Sequence, residues 1–371
     1  MPLFLRHVPA ALLILLLTAA AVDVSSATLP PDFLYLVNTL KNTISDPTSA
    51  LSSWSSSSTS PCSSWAGVSC DPADPRNATV TSLDLSGLDL AATFPSHICL
   101  RLPRLSFLSL SNNSFSSPAD DSTLSSALAG CSRLVHLDLS QNLFTGSLPE
   151  SVASLPPAYL PRPLREQLLR LRILKMSYNP FVRGRFPDEF GNLTNLEILG
   201  MTECGLYGEI PAGVWGLPSI HLLELSDNGF TGTIGEEIAG AQSLSVLTLS
   251  RNNFSGSLPS VIGSLVSLSD LSASDNHLNG SLPDSFVNLG QLVRLDLHNN
   301  ELSGVLPKGM GGLKKLKELN LAHNRISGAI PGELGNLPVL NYLDLSENNF
   351  SGSVPDELQT LQLNQRMQLL S

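Results

Sequence analysis

The chain is 371 residues long, 42% hydrophobic and only 14% charged, with a formal net charge of −11 at pH 7. That acidity argues against nucleic acid as a partner, because phosphate binding needs a basic surface. The apolar content is ample for a continuous core, and the dominance of Leu, Gly, Asn and Ser over charged residues suits a solenoid and argues against a disordered tail.

Residues 1–27 read as a secretory signal: Arg6 and His7 precede the apolar run Val8–Val22, followed by Ala19-Ala20-Ala21 and Ser25-Ser26-Ala27. The run is short for a bilayer span and ends in small residues suited to cleavage. No later stretch is apolar for long enough to cross a membrane, so a secreted, extracellular (apoplastic) product is expected, with the plasma membrane reached only by a longer form. The segment 28–79 then divides into three parts. Within Asp32–Leu51, Phe33, Leu36, Val37, Leu40 and Ile44 have helical spacing, which predicts a helix ending before Asp46-Pro47. A Ser-rich loop follows, and after it Cys62-Ser-Ser-Trp65-Ala-Gly67-Val68-Ser-Cys70.

From residue 80 one pattern recurs, loosely at first. Leu83-Asp-Leu85 is followed by Leu108-Ser-Leu110 with Asn113 and by Leu137-Asp-Leu139 with Asn142. The step from Asn142 to Asn179 is 37 residues, and its surplus around 155–170 (Leu155-Pro-Pro-Ala-Tyr-Leu-Pro-Arg-Pro-Leu164) predicts a protruding loop. Beside it Arg162, Arg165, Arg170, Arg172, Lys175, Arg183 and Arg185 form the one basic cluster of the chain, with Glu166 as counter-charge. A solvated surface accounts for it more simply than a polyanion site.

Beyond Cys204 the period is strict. Asn228, Asn252, Asn276, Asn300, Asn324 and Asn348 follow at 24-residue steps, each preceded by leucine-like residues as in Leu292-x-x-Leu295-x-Leu297-x-x-Asn300. This is a leucine-rich repeat, in which each period is one coil of a solenoid. Alternation of Leu295 and Leu297 with Arg294, Asp296 and His298 gives a short strand with leucines inward and polar groups outward. The Asn amide can satisfy backbone groups of adjacent coils, and Cys204 in the same slot is expected to be buried and unpaired. Gly256-Ser-Leu-Pro259 and its equivalents supply a bend and a fixed φ as the chain crosses the back.

A bare first coil needs a cover, and a helix with a stapled hairpin provides one, so Cys62–Cys70 is the first expected disulfide. Cys99 and Cys131, on the backs of adjacent coils, form the second, although four paired cysteines permit three connectivities. About 11 repeats are expected over 80–355, with an incomplete coil at 356–371 that carries no cysteine pair. Sequons stand at Asn77, Asn112, Asn192, Asn253, Asn279 and Asn349. His136-Leu-Asp138-Leu139 superficially matches a kinase catalytic loop but fits the repeat slot by slot. No nucleotide loop or His-Glu-x-x-His accompanies it, so no enzyme, cofactor or metal is expected.

The Gly-x-Ile/Leu-Pro element resembles plant extracellular leucine-rich repeats, and the Cys-x-x-Trp-x-Gly-Val-x-Cys motif resembles the N-terminal cap of plant repeat receptors. Trp215-Gly-Leu-Pro218, Leu223-Glu-Leu-Ser-Asp-Asn228, Leu271-Ser-Ala-Ser274 and Leu337-Pro-Val-Leu-Asn-Tyr-Leu-Asp-Leu-Ser346 resemble the ectodomains of HAESA and HAESA-like receptor kinases. The resemblance implies an α/β solenoid, a right-handed superhelix with parallel β-strands on its concave face. It also implies as partners a secreted peptide ligand and a co-receptor kinase ectodomain. Strand geometry nominates Leu222, Glu224, Val246, Thr248, Arg251, Asp270, Ser272, Arg294, Asp296, His298, Glu318, Asn320, His323, Tyr342 and Asp344 as the outward, ligand-facing set. The family grips a peptide carboxylate with an Arg-x-Arg pair, and the matching strand here reads Ile198-Leu-Gly200. A secreted inhibitor resembling polygalacturonase-inhibiting proteins, and an inactive receptor fragment, are the alternatives.

Overall fold

The computed structural model describes residues 29–74, 79–117, 124, 125, 128, 130–153, 170–358, 367 and 368. The expected signal at 1–27, the sequon Asn77, most of the loop near 155–170 with Arg162 and Arg165, and most of the C-terminal segment lie outside them.

Eleven parallel strands from Val80–Asp84 to Tyr342–Asp344 stack in sequence order into one sheet, which Met367–Gln368 extends beside the last of them. Each strand is only about three residues long because the chain must turn away to close its coil. The middle residue points inward: Leu83, Leu108, Leu137, Leu174, Leu199, Leu223, Leu247, Leu271, Leu295, Leu319 and Leu343 are all buried. Across the irregular early spacings the strands still pair residue for residue. His136 lies beside Ile173 and Leu137 beside Leu174, so the 37-residue step is absorbed outside the sheet. The fold is a plant-type leucine-rich-repeat solenoid.

Two devices hold the coils together. Asn276 is representative of the first. Its Nδ2 donates to the carbonyls of Leu249 (3.0 Å), Ala273 (3.2 Å) and Ser274 (3.0 Å), and its Oδ1 accepts from Phe254 N–H at 3.0 Å. One amide thus joins two coils and satisfies groups that would otherwise be buried without partners. At Cys204 the thiol makes only weak contacts to Met176 and Thr202 carbonyls, at 3.4 and 3.6 Å. Phe181 N–H, in the position served elsewhere by the amide oxygen, donates to Asn179 O instead. Burial pushes the Cys204 thiol up to about 12, the state of a packing residue rather than a nucleophile.

The second device is apolar. The residue two after each Asn fills the core, and Phe230 and Phe254 stack with centroids 6.2 Å apart while Trp215 leans on Phe254. Behind them, short helical turns such as Ser260–Ser264 and Asp284–Asn288 cross the convex side, each led by a proline with φ near −60° (Pro259, Pro283). A left-handed column went unanticipated. The residue before each Asn has positive φ, from Asn112 through Gln141, Tyr178, Glu203, Asp227, Arg251, Asp275, Asn299 and His323 to Glu347. Half of the column is Asn, Asp or His, the non-glycine types that adopt this conformation most readily.

The cap closes the N-terminal end. Pro31–Thr43 is helical with a wider turn in Leu36–Leu40, where Lys41 N–H bonds back to Leu36 O. The helix stops at Ile44, whose backbone is extended, and Leu51 lies beyond it. Asp32 accepts from Val80 N–H at 2.9 Å and so ties the helix to the first parallel strand. Trp65 packs between Phe33 and Trp54. Val68–Cys70 runs antiparallel to Val80–Asp84. Gly67 has φ +71°, and a Cβ there would lie 1.9 Å from Asp84 O, so only glycine permits the approach. Disulfides join Cys62 to Cys70 and Cys99 to Cys131.

Candidate ligand-binding face

On the concave sheet, the residue that opens each strand faces outward, and lateral pairing sets these residues side by side. In order they are Phe107, His136, Ile173, Ile198, Leu222 and Val246, then Asp270, Arg294, Glu318 and Tyr342. The first six make a continuous, partly exposed row, apolar except for the imidazole of His136. Phe107 and His136 stack at 4.1 Å between centroids. Burial holds the His136 imidazole below its ordinary value, against a smaller opposing pull from Asp138. At about 4.8 Å per strand the row is roughly 24 Å long.

The row changes character at Asp270. Arg294 reaches Asp296 at 3.2 Å and Glu318 at 3.4 Å, and His298 Nδ1 lies 2.6 Å from Asp296 with Asn320 Nδ2 3.2 Å away. Asp275 approaches the other side of His298 at 3.7 Å. Tyr342 OH lies 3.4 Å from Asp344. Asp270 Oδ1 is buried and accepts no hydrogen bond among the described residues. Desolvation pushes its carboxyl up, Arg294 opposes that, and Glu318 and Asp296 add to it. Burial likewise raises the Tyr342 phenol, with Asp344 reinforcing it.

Of the nominated residues, Leu222, Glu224, Val246, Thr248, Asp270, Arg294, His298 and Asn320 are partly exposed and Glu318 and Tyr342 are exposed, all on the concave side. Three are not open as expected. Ser272, Asp296 and Asp344 are 6%, 8% and 8% exposed. They sit at the closing position of the strand, where local bonds hold them down: Ser272 Oγ pairs with Ser250 Oγ at 2.9 Å and Asp344 Oδ1 accepts from Ser346 Oγ at 2.6 Å. Arg251 and His323 lie past the strand in the left-handed column. Arg251 is committed to Asp227, Nη2 to Oδ2 2.7 Å. Four residues of the apolar row, Phe107 to Ile198, were missing from the nominated set. Uneven early spacing conceals their alignment with Leu222, although Leu-x-Leu follows Phe107 and His136, and Leu-x-Met follows Ile173 and Ile198.

At the strand where the resemblance implies a basic pair, Ile198 and Gly200 face the concave side. A Cβ on Gly200 would lie 3.4 Å from both Lys175 Cγ and Glu224 Oε2, so these side chains lean over a notch. Of the basic cluster, Arg172 bonds Glu197 through Nε at 2.8 Å and Arg183 lies 5.2 Å over the Tyr207 ring, while Arg170 and Arg185 are exposed. The sequon residues Asn112, Asn253, Asn279 and Asn349 are exposed and Asn192 partly so.

Three family profiles match, over four segments. The leucine-rich repeat region covers residues 236–370, the leucine rich repeat N-terminal domain 34–71, and single leucine rich repeats 133–155 and 170–193. The chain is thus a capped leucine-rich-repeat protein, and its curated relatives are plant leucine-rich-repeat receptor kinases. It is 36% identical over 124 residues to receptor protein-tyrosine kinase CEPR1 of Arabidopsis thaliana (33% of this chain, 11% of that protein). It is 34% identical over 197 residues to receptor-like protein kinase 7 of the same plant (49% and 19%). The solved plant peptide hormone receptor RGFR1 in complex with RGF2 superposes with TM-score 0.62 at 31% identity, over 76% of this chain and 46% of that one. The PEPR1–AtPEP1 complex superposes with TM-score 0.52 at 28% identity (92% and 55%). The chain therefore spans under a fifth of the curated relatives' length. Every matched profile is repeat or cap, and no described helix is long and apolar enough to cross a membrane.

Proposed function

We propose that this chain is an extracellular recognition module of receptor-like type, which binds a secreted peptide along the concave strands and engages a co-receptor kinase ectodomain. The carrying observation is the registered row from Phe107 to Tyr342, an outward line of side chains presented by successive strands without a break. Backbone polar groups of the sheet are already paired, so side chains alone select what lies across it. The similarity to the plant peptide hormone receptor RGFR1 in complex with RGF2, and to PEPR1 with AtPEP1, supports the reading. The HAESA-like assignment within this group rests on the repeat motifs from Trp215 onward, and the division into a cap at 28–79 and coils at 80–355 rests on the helix and Cys62–Cys70 motif that precede the first Leu-x-Leu at Leu83. The two disulfides and the exposed sequons support an apoplastic location.

The test is a pull-down with the full chain secreted from plant cells, against apoplastic peptides, a co-receptor ectodomain and a fungal polygalacturonase. Capture of peptides that is lost in Leu222→Gln/Val246→Gln supports the reading. Capture of the polygalacturonase alone would replace it with the inhibitor alternative, and capture of nothing would favour an inactive fragment.

A further inference from the structure

Of the basic residues crowded together in the sequence near 162–185, the fold deals the described ones out to three faces. Lys175 closes a strand of the concave sheet, while Arg183 and Arg185 lie on the flank that follows the Asn turn. Arg170 and Arg172 lie on the opposite flank, where the chain enters the strands, and arginines from earlier coils join them there. Val135 N–H donates to Ser106 O and Arg172 N–H to Val135 O, both at 2.8 Å, so Ser106, Val135 and Arg172 are aligned from coil to coil. Two residues before them stand Arg104, Arg133 and Arg170, all exposed, each followed by a buried leucine that turns it outward. Their backbones are roughly 4.8 Å apart, one strand spacing. Elsewhere neighbouring coils set opposite charges side by side. Glu301 lies between His277 at 3.7 Å and Arg325 at 3.0 Å, Arg294 reaches Glu318, and Arg251 reaches Asp227. On this flank three successive coils carry the same sign. Arg104 has a partner in Asp71 at 3.2 Å, but neither Arg133 nor Arg170 makes an ion pair or hydrogen bond among the described residues. Exposed Arg101 adds a further charge at the end of the Ile98–Arg101 turn. The Cys99–Cys131 bridge pins the backbone two residues ahead of Arg101 and of Arg133, so these charges stand on a fixed base. Like charges in such a row repel one another, and anions laid across it relieve the repulsion.

We propose that this flank docks a linear polycarboxylate of the acidic polysaccharide type, a polyuronate, laid along the solenoid axis across Arg104, Arg133 and Arg170. A guanidinium fork pairs with a carboxylate through two parallel bonds, which suits a ligand that carries an acid group on every sugar ring. An acidic peptide fits the row less well. An extended chain returns a side chain to the same face every 6.7 Å or so, about 6.7 Å against a strand spacing of about 4.8 Å, and falls out of step with the guanidiniums within two coils. Each exposed pair is weak on its own, so affinity comes from repetition along the ligand and falls as salt rises. The remainder of a chain with net charge −11 repels such a polymer and confines it to the arginine row. The flank adjoins the concave face but includes no residue of the row from Phe107 to Tyr342, so the two surfaces can be occupied independently.

The experiment measures binding of fluorescently labelled galacturonate oligomers to the full chain by anisotropy, in calcium-free buffer at low and at physiological salt. A tetramer and a dodecamer are compared, with the methyl-esterified dodecamer and a polyglutamate of equal length as further ligands. The free-acid dodecamer is expected to bind about tenfold more tightly than the tetramer or its own methyl ester, and more weakly as salt rises. Arg133→Gln/Arg170→Gln should weaken it about tenfold. Arg185→Gln/Arg325→Gln removes the same charge from the other flank and should change it less than about twofold. Circular dichroism establishes that both variants are folded. Absence of dodecamer binding to the folded native chain, binding indifferent to esterification, or an equal loss in both variants overturns the proposal. Tighter binding of polyglutamate than of the uronate overturns it in favour of an acidic peptide. None of these outcomes bears on capture of peptides by the concave face, so the receptor reading stands or falls separately.

Discussion

Replacing Asn276 by Ala tests the device that joins one coil to the next. The substitution removes three donated bonds, to Leu249, Ala273 and Ser274, and the one accepted from Phe254. The two N–H groups of the amide are shared among the three carbonyls, so at a net value of roughly 1 kcal/mol for each full bond, two donated and one accepted, the loss is about 3 kcal/mol. Asn276 is 6% exposed, so water does not readily replace the lost partners. Equilibrium urea unfolding of the full chain should show the loss as a lowered midpoint, and because a repeat array can open in parts, hydrogen exchange locates it. The amides of Phe254 and its coil should exchange fastest relative to the native chain, with coils several steps away little changed. The control is Gln291→Ala, one coil later, whose exposed side chain accepts one bond from Lys315, and it should cost less than about 0.5 kcal/mol. A loss below about 1 kcal/mol for Asn276→Ala, or exchange raised uniformly along the chain, would refute the idea that these amides bind coils pairwise.

Cys204, with its thiol pushed up to about 12 and fully buried, should resist a thiol reagent at pH 8 in the native chain and react within minutes in urea; prompt native labelling would contradict its burial. Cys99→Ser/Cys131→Ser opens a closure of 32 residues, for which the chain-entropy relation gives roughly 3 to 4 kcal/mol, measurable as a lowered thermal midpoint. For His136, burial holds the folded-state value below the ordinary 6.5. The unfolded chain therefore binds its proton first as pH falls, and the contribution of the neutral imidazole is present above pH 6.5 and declines below it. NMR titration of the His136 ring should give a midpoint under 6.5, and a midpoint above that would show that Asp138 outweighs burial.

The strict coils were legible because a 24-residue period fixes both the strand and the inward leucines, and the residues at those slots need no partner beyond their equals next door. The face they present was only partly legible. Alternation places Asp344 and Asp296 on the outward side, yet their depth depends on bonds to Ser346 and to Arg294 and His298, and periodicity carries no such information. Phe107, His136, Ile173 and Ile198 were overlooked for a different reason. Spacings before Asn228 vary, and only lateral pairing shows that the variation is taken up outside the sheet. The left-handed column of Asp227 and Arg251 was in principle readable from its polar character, but non-glycine residues with positive φ leave no strong mark on a sequence.

The reversed strand Val68–Cys70 gives the ribbon a one-way character. A neighbour that tries to join the sheet there meets a chain running the wrong way, held by Gly67 against Asp84 and cross-linked to Cys62. The repeat register ends at this strand, so any lengthening or shortening of the array during evolution falls to the coils behind it.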